Sequence, residues 1–163
     1  KEYRRQRQMC IRDRDNTMAM RFARGKYVLK NPEKYIGIKT PTYRSGWEQA
    51  FMRLCDEHPN VAKWASESIK IPYRHPISGK YTIYVPDFFI VYVDKNGKKH
   101  AEIIEVKPAA QSSMEKAGKS RGKQMQVVVN TAKWEAANAY AKQNRVTFRV
   151  VSEEQLFHNG TRK

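Results

Sequence analysis

Two acids and a lysine interrupt apolar stretches of this chain. Asp87 lies in an aromatic and β-branched run over residues 84–93, and Glu105 and Lys107 lie in a second such run over residues 101–107. Runs of this kind are typical of buried strands, along which side chains alternate, so Glu105 and Lys107 are predicted to share one face. Because a buried carboxylate is costly without a partner, the pattern indicates two acids that bind a cation.

These three side chains have the chemistry that a metal-dependent nuclease needs. Mg²⁺ prefers carboxylate oxygens, and an ammonium group can orient the water that attacks a phosphodiester. The segment Asp94–Lys98 contains Asn-Gly, which predicts a hairpin turn that makes the two strands antiparallel neighbours and brings Asp87, Glu105 and Lys107 together. A purely structural interpretation stays open, in which the acids cap a turn or face solvent and the lysine protects a sheet edge.

The elements that must position these residues are predicted in the order helix, three strands, helix, strand, helix. Apolar alternation indicates the strands, and capping residues followed by a helical apolar period indicate the helices. The predicted strands cover residues 69–73, 84–93, 101–107 and 145–151, with a turn over residues 76–80. The predicted helices run from Ser45 to about His58, from about 131 to 143 after an Asn130 cap, and onward from Ser152.

Glu48 has two predicted roles. With Ser45 it matches a capping box at the start of the first helix. It also lies beside the apolar stripe that packs on the sheet, within reach of a site on that sheet. The stripe comprises Trp47, Ala50, Phe51, Leu54 and Cys55.

Five basic residues are predicted to contact DNA phosphate: Arg44, Lys119, Arg121, Lys123 and Lys133. Three of them fall in a polar segment over residues 109–123, which is predicted to be a loop or a frayed helix that moves when it binds a phosphate backbone. Lys133 lies outside the apolar stripe of the second helix, so a solvated lysine is its alternative role. That stripe comprises Ala132, Ala136, Ala139 and Tyr140. Four tyrosines are predicted to be half-buried in the sheet rather than to stack on bases: Tyr73, Tyr81, Tyr84 and Tyr92.

The composition fits one basic domain that binds polyanions. The chain has 163 residues, with 32 Lys plus Arg against 16 Asp plus Glu and a formal net charge of +16. No apolar run approaches the roughly 18 residues of a membrane span, and no signature of a base-reading module is present. Cys10 and Cys55 are the two cysteines and the four histidines are scattered, which argues against a disulfide scaffold or a zinc site and favours a reducing intracellular setting.

Residues 1–24 are predicted to be a disordered basic arm. They hold eight Lys or Arg and three acids, so most of the positive charge belongs to the remaining residues. Residues 6–14 also look like translated sequencing-adapter sequence, in which case the natural start is Met18 or Met20 and residues 1–17 are not native. The arm is therefore set apart from the domain.

The chain resembles the PD-(D/E)xK nuclease superfamily through Glu48 on a first helix, Pro86-Asp87 and Glu105-Val106-Lys107. Over about residues 20–157 it is similar to the head-completion nucleases of large tailed bacteriophages. The segments that carry this similarity are Gly25–Val28, Asn31–Tyr35, Tyr43–Glu48, Ile71–Tyr73 and Pro86–Phe88. The layout of two acids and Glu-x-Lys is also that of the endonuclease subunit of heteromeric transposases.

This resemblance implies an α/β fold with a restriction-endonuclease-like core, a mixed β-sheet flanked by helices, in a single domain over residues 25–163. It implies that Asp87, Glu105 and the Val106 carbonyl bind Mg²⁺, for which Mn²⁺ can substitute. Lys107 would orient or activate the attacking water, and Glu48 would hold a second metal or Lys107. The implied substrate is double-stranded DNA, cut with little sequence preference to leave a 3′-hydroxyl and a 5′-phosphate.

The implied biological role is phage head completion after DNA packaging, in the host cytoplasm or on the virion, with portal or neck proteins as partners. Two alternatives stay open. One is a non-catalytic protein that binds a DNA end, or a structural protein of the neck that binds the capsid portal, with the acids serving only the fold. The other is a strand-cleaving subunit of a transposase, which would need a partner recombinase. The oligomeric state stays open as well.

Overall fold

The computed structural model describes residues 23–111, 113–152 and 155. The arm predicted over residues 1–24 lies almost entirely outside this range, and so does most of the final helix predicted from Ser152. The Ser152 N–H donates to Gln155 Oε1 at 3.1 Å, which is one bond of the capping box predicted there.

The described residues form eight strands and three helices. The strands are β1 (Gly25–Lys26), β2 (Thr42–Tyr43), β3 (Val61–Ser66), β4 (Ile71–Arg74), β5 (Tyr81–Tyr84), β6 (Phe88–Val93), β7 (Lys99–Val106) and β8 (Thr147–Val151). The helices are α1 (Gly46–Glu57), α2 (Met114–Ala117) and α3 (Arg121–Gln143), with single 3₁₀ turns at Pro32–Lys34 and Ala109–Gln111. No helix in this part of the chain is long and apolar enough to span a membrane.

The main sheet has the strand order β3-β6-β7-β8. β6 pairs antiparallel with β3 and with β7, whereas β7 and β8 are parallel, so the sheet is mixed. The predicted hairpin between β6 and β7 is confirmed. Gly97 adopts a left-handed φ of 78° in its turn, and the Asp94 N–H donates to the Lys98 carbonyl at 2.9 Å. The predicted mixed sheet flanked by helices is also confirmed.

The run over residues 84–93, predicted as one strand, is divided in two. β5 ends at Tyr84 and β6 begins at Phe88. β5 pairs with β4 in a separate two-stranded sheet and is not part of the main sheet. The prediction of one continuous strand is wrong because Pro86 has no N–H for a ladder and interrupts the pairing.

β3 is a strand that the sequence pattern does not predict. Its register against β6 shifts between Val61 and Lys63, and its buried residues Val61, Trp64 and Ala65 do not alternate with exposed ones. A bulge of this kind breaks the period of two on which strand prediction depends.

The two long helices cover opposite faces of the sheet. α1 packs on one face, where a core forms from Trp47, Phe51, Met52, Cys55, Trp64, Phe88, Ile104 and Val106. Leu54, predicted to belong to this core, is 40% exposed. α3 and the β4–β5 hairpin cover the other face around Ile71, Tyr73, Tyr84 and Ala137. Tyr81, predicted to be half-buried, is exposed because only the Tyr84 end of β5 is covered.

α3 begins at Arg121, not near residue 131, with Ser120 as its N-cap. The basic segment predicted as a loop is therefore partly helical. Asn130, predicted as the cap, lies inside the helix and is buried, where its Nδ2 donates to the Gln111 carbonyl at 3.1 Å. The inner face includes Ala137 and Ala141, whereas Ala139, predicted there, is exposed.

Candidate active site

Asp87 stands immediately before β6, where the ladder between β6 and β7 ends. The register that pairs Phe88 with Ile104 puts Pro86 opposite Val106, and proline has no N–H to donate. The Val106 N–H donates instead to Asp87 Oδ2 at 2.8 Å. Pro86 thus ends the ladder and leaves the Val106 carbonyl without a ladder donor on this side.

Glu105 and Lys107 lie at the end of β7, on the sheet face that α3 covers. Lys107 Nζ is 3.0 Å from Glu105 Oε1, which confirms that the two side chains share a face. The Tyr84 hydroxyl donates to Glu105 Oε2 at 2.8 Å. Glu105 is only 4% exposed, so both oxygens of this buried carboxylate are engaged by cationic or hydroxyl donors.

The charges of these residues act on one another. Removal from water, together with the charges of Glu105 and Glu48, raises the pKa of Asp87 well above its usual range. Burial alone would lower the pKa of Lys107, but the adjacent Glu105, Asp87 and Glu48 raise it overall. Lys107 is therefore an ammonium group at neutral pH, a donor that can orient water electrostatically and has no lone pair to act as a base.

Glu48 is positioned by the start of α1. Its backbone N–H donates to Ser45 Oγ at 3.1 Å, which confirms the capping interaction. Its side chain accepts from the Arg44 N–H at 2.9 Å and from the Ser45 hydroxyl at 3.4 Å, and not from the Ser45 N–H that would complete the box. Desolvation raises the pKa of Glu48, and its charge acts on both Asp87 and Lys107. Glu48 thus influences the site through its negative charge, whereas its hydrogen bonds are made at the start of α1.

A chain of contacts links Glu48 to Asp87 through Arg44 and Glu67. Arg44 Nη1 is 2.7 Å from Glu67 Oε1, and the Glu67 N–H donates to the Asp87 carbonyl at 2.9 Å. Glu67 follows β3 with a left-handed φ of 48°, a conformation that L side chains seldom adopt. The start of α1 and the end of β3 are in this way joined to the strand end that carries Asp87.

The oxygen donors at this position suit a hard divalent cation. Asp87 Oδ2 is occupied by the Val106 N–H, while Asp87 Oδ1 makes no hydrogen bond with the described residues. No three His, Cys, Asp or Glu side chains in residues 23–111, 113–152 and 155 form a complete metal cage. Two carboxylates and the Val106 carbonyl are nevertheless a fitting set for Mg²⁺, which usually keeps several waters and takes few protein ligands.

Lys133, predicted as a DNA contact, lies at the site itself. Its Nζ is 5.6 Å from the centroid of the Tyr84 ring and 6.0 Å from that of Tyr73. Burial and the nearby Lys107 lower the pKa of Lys133, against the opposing effect of Glu105 and Asp87. The predicted alternative, a solvated helix lysine, does not fit this position.

The other predicted DNA contacts lie further out. Lys119, Arg121 and Lys123 are exposed around the start of α3. With a rise of about 1.5 Å per residue, Arg121 is roughly 18 Å along the helix axis from Lys133. Arg44 lies away from α3, immediately before the N-cap of α1, and its guanidinium is paired with Glu67.

Two residues at the site are not found by sequence reasoning. The sequence predicts Tyr84 only as a half-buried sheet residue, whereas the structure shows it as the hydrogen-bond donor to Glu105. Nothing in the sequence marks Glu67, because the strand that it follows has no regular pattern. The pairing of Tyr84 with Ile71 in β4 and β5 carries its hydroxyl to the site, and no local pattern encodes that placement.

Comparison with known proteins identifies the family of this site. A sequence model described as TnsA-like endonuclease N terminal matches residues 58–153, which include Asp87, Glu105 and Lys107. The chain is also similar to the head completion nuclease of Enterobacteria phage T4, with 34% identity over 142 residues that cover 81% of this chain and 92% of the phage protein. The predicted resemblance to PD-(D/E)xK nucleases is thereby confirmed, and this chain belongs to the TnsA-like endonuclease N-terminal family.

Proposed function

We propose that this protein is a Mg²⁺-dependent endonuclease that hydrolyses phosphodiester bonds of double-stranded DNA with little sequence preference. One observation carries the proposal. Asp87, bound through Oδ2 by the Val106 N–H, stands at the strand end where Glu105 and Lys107 contact each other. That arrangement gives two carboxylates, a carbonyl and an ammonium group at one position.

Each residue of the site would have a separate role in phosphodiester hydrolysis. Asp87, Glu105 and the Val106 carbonyl would hold the metal, which would supply polarisation of a water and neutralisation of charge on the phosphate. Lys107, held by Glu105, orients the attacking water. The water oxygen would bond to phosphorus and release a proton to solvent as the bond between phosphorus and O3′ breaks. The leaving oxygen would take a proton from solvent, giving a 3′-hydroxyl and a 5′-phosphate. Glu48 assists from the start of α1 by its charge on Lys107 and Asp87.

The net charge of the protein and its similarity to a phage nuclease support DNA as the substrate. A net charge of +16 favours binding to the phosphate backbone, and Arg44, Lys119, Arg121, Lys123 and Lys133 supply contacts on two sides of the site. The similarity to a phage head completion nuclease supports a role in head completion. We further propose that the protein acts in the host cytoplasm or on the virion, with portal or neck proteins as partners. The same similarity favours this role over a transposase subunit, since it spans more of the chain than the TnsA-like match.

Plasmid cleavage tests the metal mechanism. The full chain should nick or cut supercoiled DNA with Mg²⁺ or Mn²⁺ and should be inactive in EDTA, while Ca²⁺ should support binding with little turnover because its coordination is longer and looser. Asp87→Asn keeps an oxygen for the Val106 N–H but removes the charge, and it should lower cleavage by about a hundredfold or more. Full activity in excess EDTA would overturn the proposal.

Lys107→Ala separates catalysis from DNA binding. Cleavage should fall by about a hundredfold, the scale of losing a positioned catalytic group, while the affinity for duplex DNA in Ca²⁺ stays close to that of the unmodified protein. Lys95→Ala, which removes an exposed lysine from the β6–β7 turn, is the matched control for loss of one positive charge. Equal effects of the two substitutions on binding, with cleavage intact in both, would assign Lys107 to the general basic surface.

A further inference from the structure

Lys133 is a half-buried cation that has no anionic partner in the part of the chain that the structure describes. Its ammonium group lies near two buried tyrosine rings, 5.6 Å from the centroid of Tyr84 and 6.0 Å from that of Tyr73. Among the described residues it makes no hydrogen bond and no ion pair. A desolvated ammonium normally finds a counter-charge, and a cation–π contact at these distances replaces only part of its lost hydration.

The packing of α3 fixes where this cation lies. Ala137, one helical turn after Lys133, is fully buried in the cluster formed by Tyr73 and Tyr84 of the hairpin. Residues four apart share a helix face, so the contact of Ala137 also directs Lys133 toward the hairpin. The rings of Tyr73 and Tyr84 pack edge to face with their centroids 6.5 Å apart, and together they form a rigid apolar surface beside the lysine.

Tyr84 also connects Lys133 to the predicted metal ligands. Tyr84, whose ring lies below the Lys133 ammonium, donates its hydroxyl to Glu105 at 2.8 Å. Glu105 in turn contacts Lys107 at 3.0 Å. Lys133 and Lys107 are thus two ammonium groups linked through one tyrosine–carboxylate pair, so Lys133 lies at the same site as the predicted metal ligands.

We propose that Lys133 binds a non-bridging oxygen of the scissile phosphate, as a second cation of the active centre beside Lys107. This inference rests on the proposed nuclease function and goes beyond it. Lys133 then differs from the exposed residues Lys119, Arg121 and Lys123, which contact phosphates away from the bond that breaks. Its charge matters most when negative charge builds on the phosphate oxygens during attack.

Three variants of the full chain test this assignment. Lys133→Met removes the charge and keeps an apolar stem against the tyrosine rings, and Lys133→Arg keeps the charge. Lys142→Met removes an exposed lysine from the last turn of the same helix. Two quantities are measured: the single-turnover cleavage rate at saturating duplex with Mg²⁺, and the affinity for thymidine 3′,5′-bisphosphate with Ca²⁺ by calorimetry. Melting temperatures are compared to ensure that every variant is folded.

Lys133→Met should lose about a hundredfold in cleavage rate and about tenfold in affinity for the bisphosphate. Lys133→Arg should recover most of both, and Lys142→Met should match the unmodified protein. If the unmodified protein cuts DNA but Lys133→Met behaves like Lys142→Met in both measurements, the assignment of Lys133 is wrong and the nuclease function stands. If the unmodified protein neither cuts DNA nor binds the bisphosphate, the nuclease function itself fails and the assignment fails with it.

Discussion

At the scale of single residues, one phenol group restricts how Glu105 can bind a cation. The Tyr84 hydroxyl occupies Glu105 Oε2, and burial together with the charge of Glu105 raises the pKa of Tyr84, so the group remains a donor. Oε1, which Lys107 contacts, would then be the oxygen through which Glu105 binds the proposed metal. Tyr84 is therefore a positioning residue that favours coordination through one oxygen.

Removing this hydroxyl should weaken metal binding. Tyr84→Phe leaves the buried Oε2 without its donor, and the loss of a hydrogen bond to a metal ligand typically costs about ten- to a hundredfold in affinity. Calorimetric titration with Mn²⁺ measures the effect directly and independently of cleavage. Tyr81→Phe, on the exposed end of the same strand, is the control. Equal Mn²⁺ affinities in the two variants would show that Tyr84 only fills space.

The sequence predicts the acids and Lys107 but not Tyr84, and the reason is local geometry. Glu105 and Lys107 are two apart on one strand, so alternation alone brings them to one face. A continuous strand over residues 84–93 would put Tyr84 and Asp87 on opposite faces. The break at Pro86 removes that constraint, and the direction of β5 after the break depends on its pairing with β4.

At the scale of elements, the site depends on a junction between α1 and β3. Arg44 precedes the helix, and Glu67 follows the strand in a left-handed conformation that costs about 1 kcal/mol or more. Their ion pair, with the Glu67 N–H on the Asp87 carbonyl, ties both elements to the start of β6. Arg44 is consequently held by an acid and is only partly available to DNA.

Glu67→Gln should release Arg44 and strengthen DNA binding. The substitution leaves the backbone N–H bond from residue 67 to Asp87 in place but removes the charge that holds the Arg44 guanidinium. The salt dependence of duplex affinity should therefore steepen by up to about one unit of slope. Stability should fall by less than about 1 kcal/mol, because the ion pair is partly exposed. Fluorescence anisotropy in Ca²⁺ at several salt concentrations measures the affinity.

Glu57→Gln, which removes the acid paired with Lys30 at the other end of α1, is the control for net charge. Equal gains in duplex affinity in the two variants would contradict the release of Arg44.

Elements with regular patterns were predictable, and elements shaped by tertiary packing were not. α1 has a capping box and a clear apolar period, so its bounds follow from the sequence. β3 contains a bulge, and the first half of α3 buries few residues. Asn130 resembles a cap in the sequence, but it lies inside the helix, where its Nδ2 donates to the Gln111 carbonyl. Such partners are distant in sequence, and no local period reveals them.

At the scale of the whole molecule, a basic protein surrounds a small acidic centre. The formal net charge of +16 steers DNA toward the surface, while Asp87 and Glu105 repel its phosphates unless a cation lies between them. In the proposed function the charge of the domain would support DNA binding, and the metal would decide whether a phosphate can approach the acids. DNA binding and metal binding would then be coupled, and each should favour the other.

The raised pKa of Asp87 predicts how metal stabilises the fold at different pH values. Because the folded protein holds this proton more tightly than the unfolded chain does, the contribution of Asp87 to stability is present at low pH and is lost as pH rises through its raised pKa. A bound divalent ion offsets that loss but competes with the proton at lower pH. The rise in melting temperature caused by Mn²⁺ should therefore be larger at about pH 8 than at about pH 5, and EDTA should abolish it. Differential scanning fluorimetry with and without Mn²⁺ cancels the titration of distant groups, and Asp87→Asn should remove most of the metal-dependent difference. A rise of equal size at both pH values, or one retained in Asp87→Asn, would place the stabilising ion elsewhere on the protein.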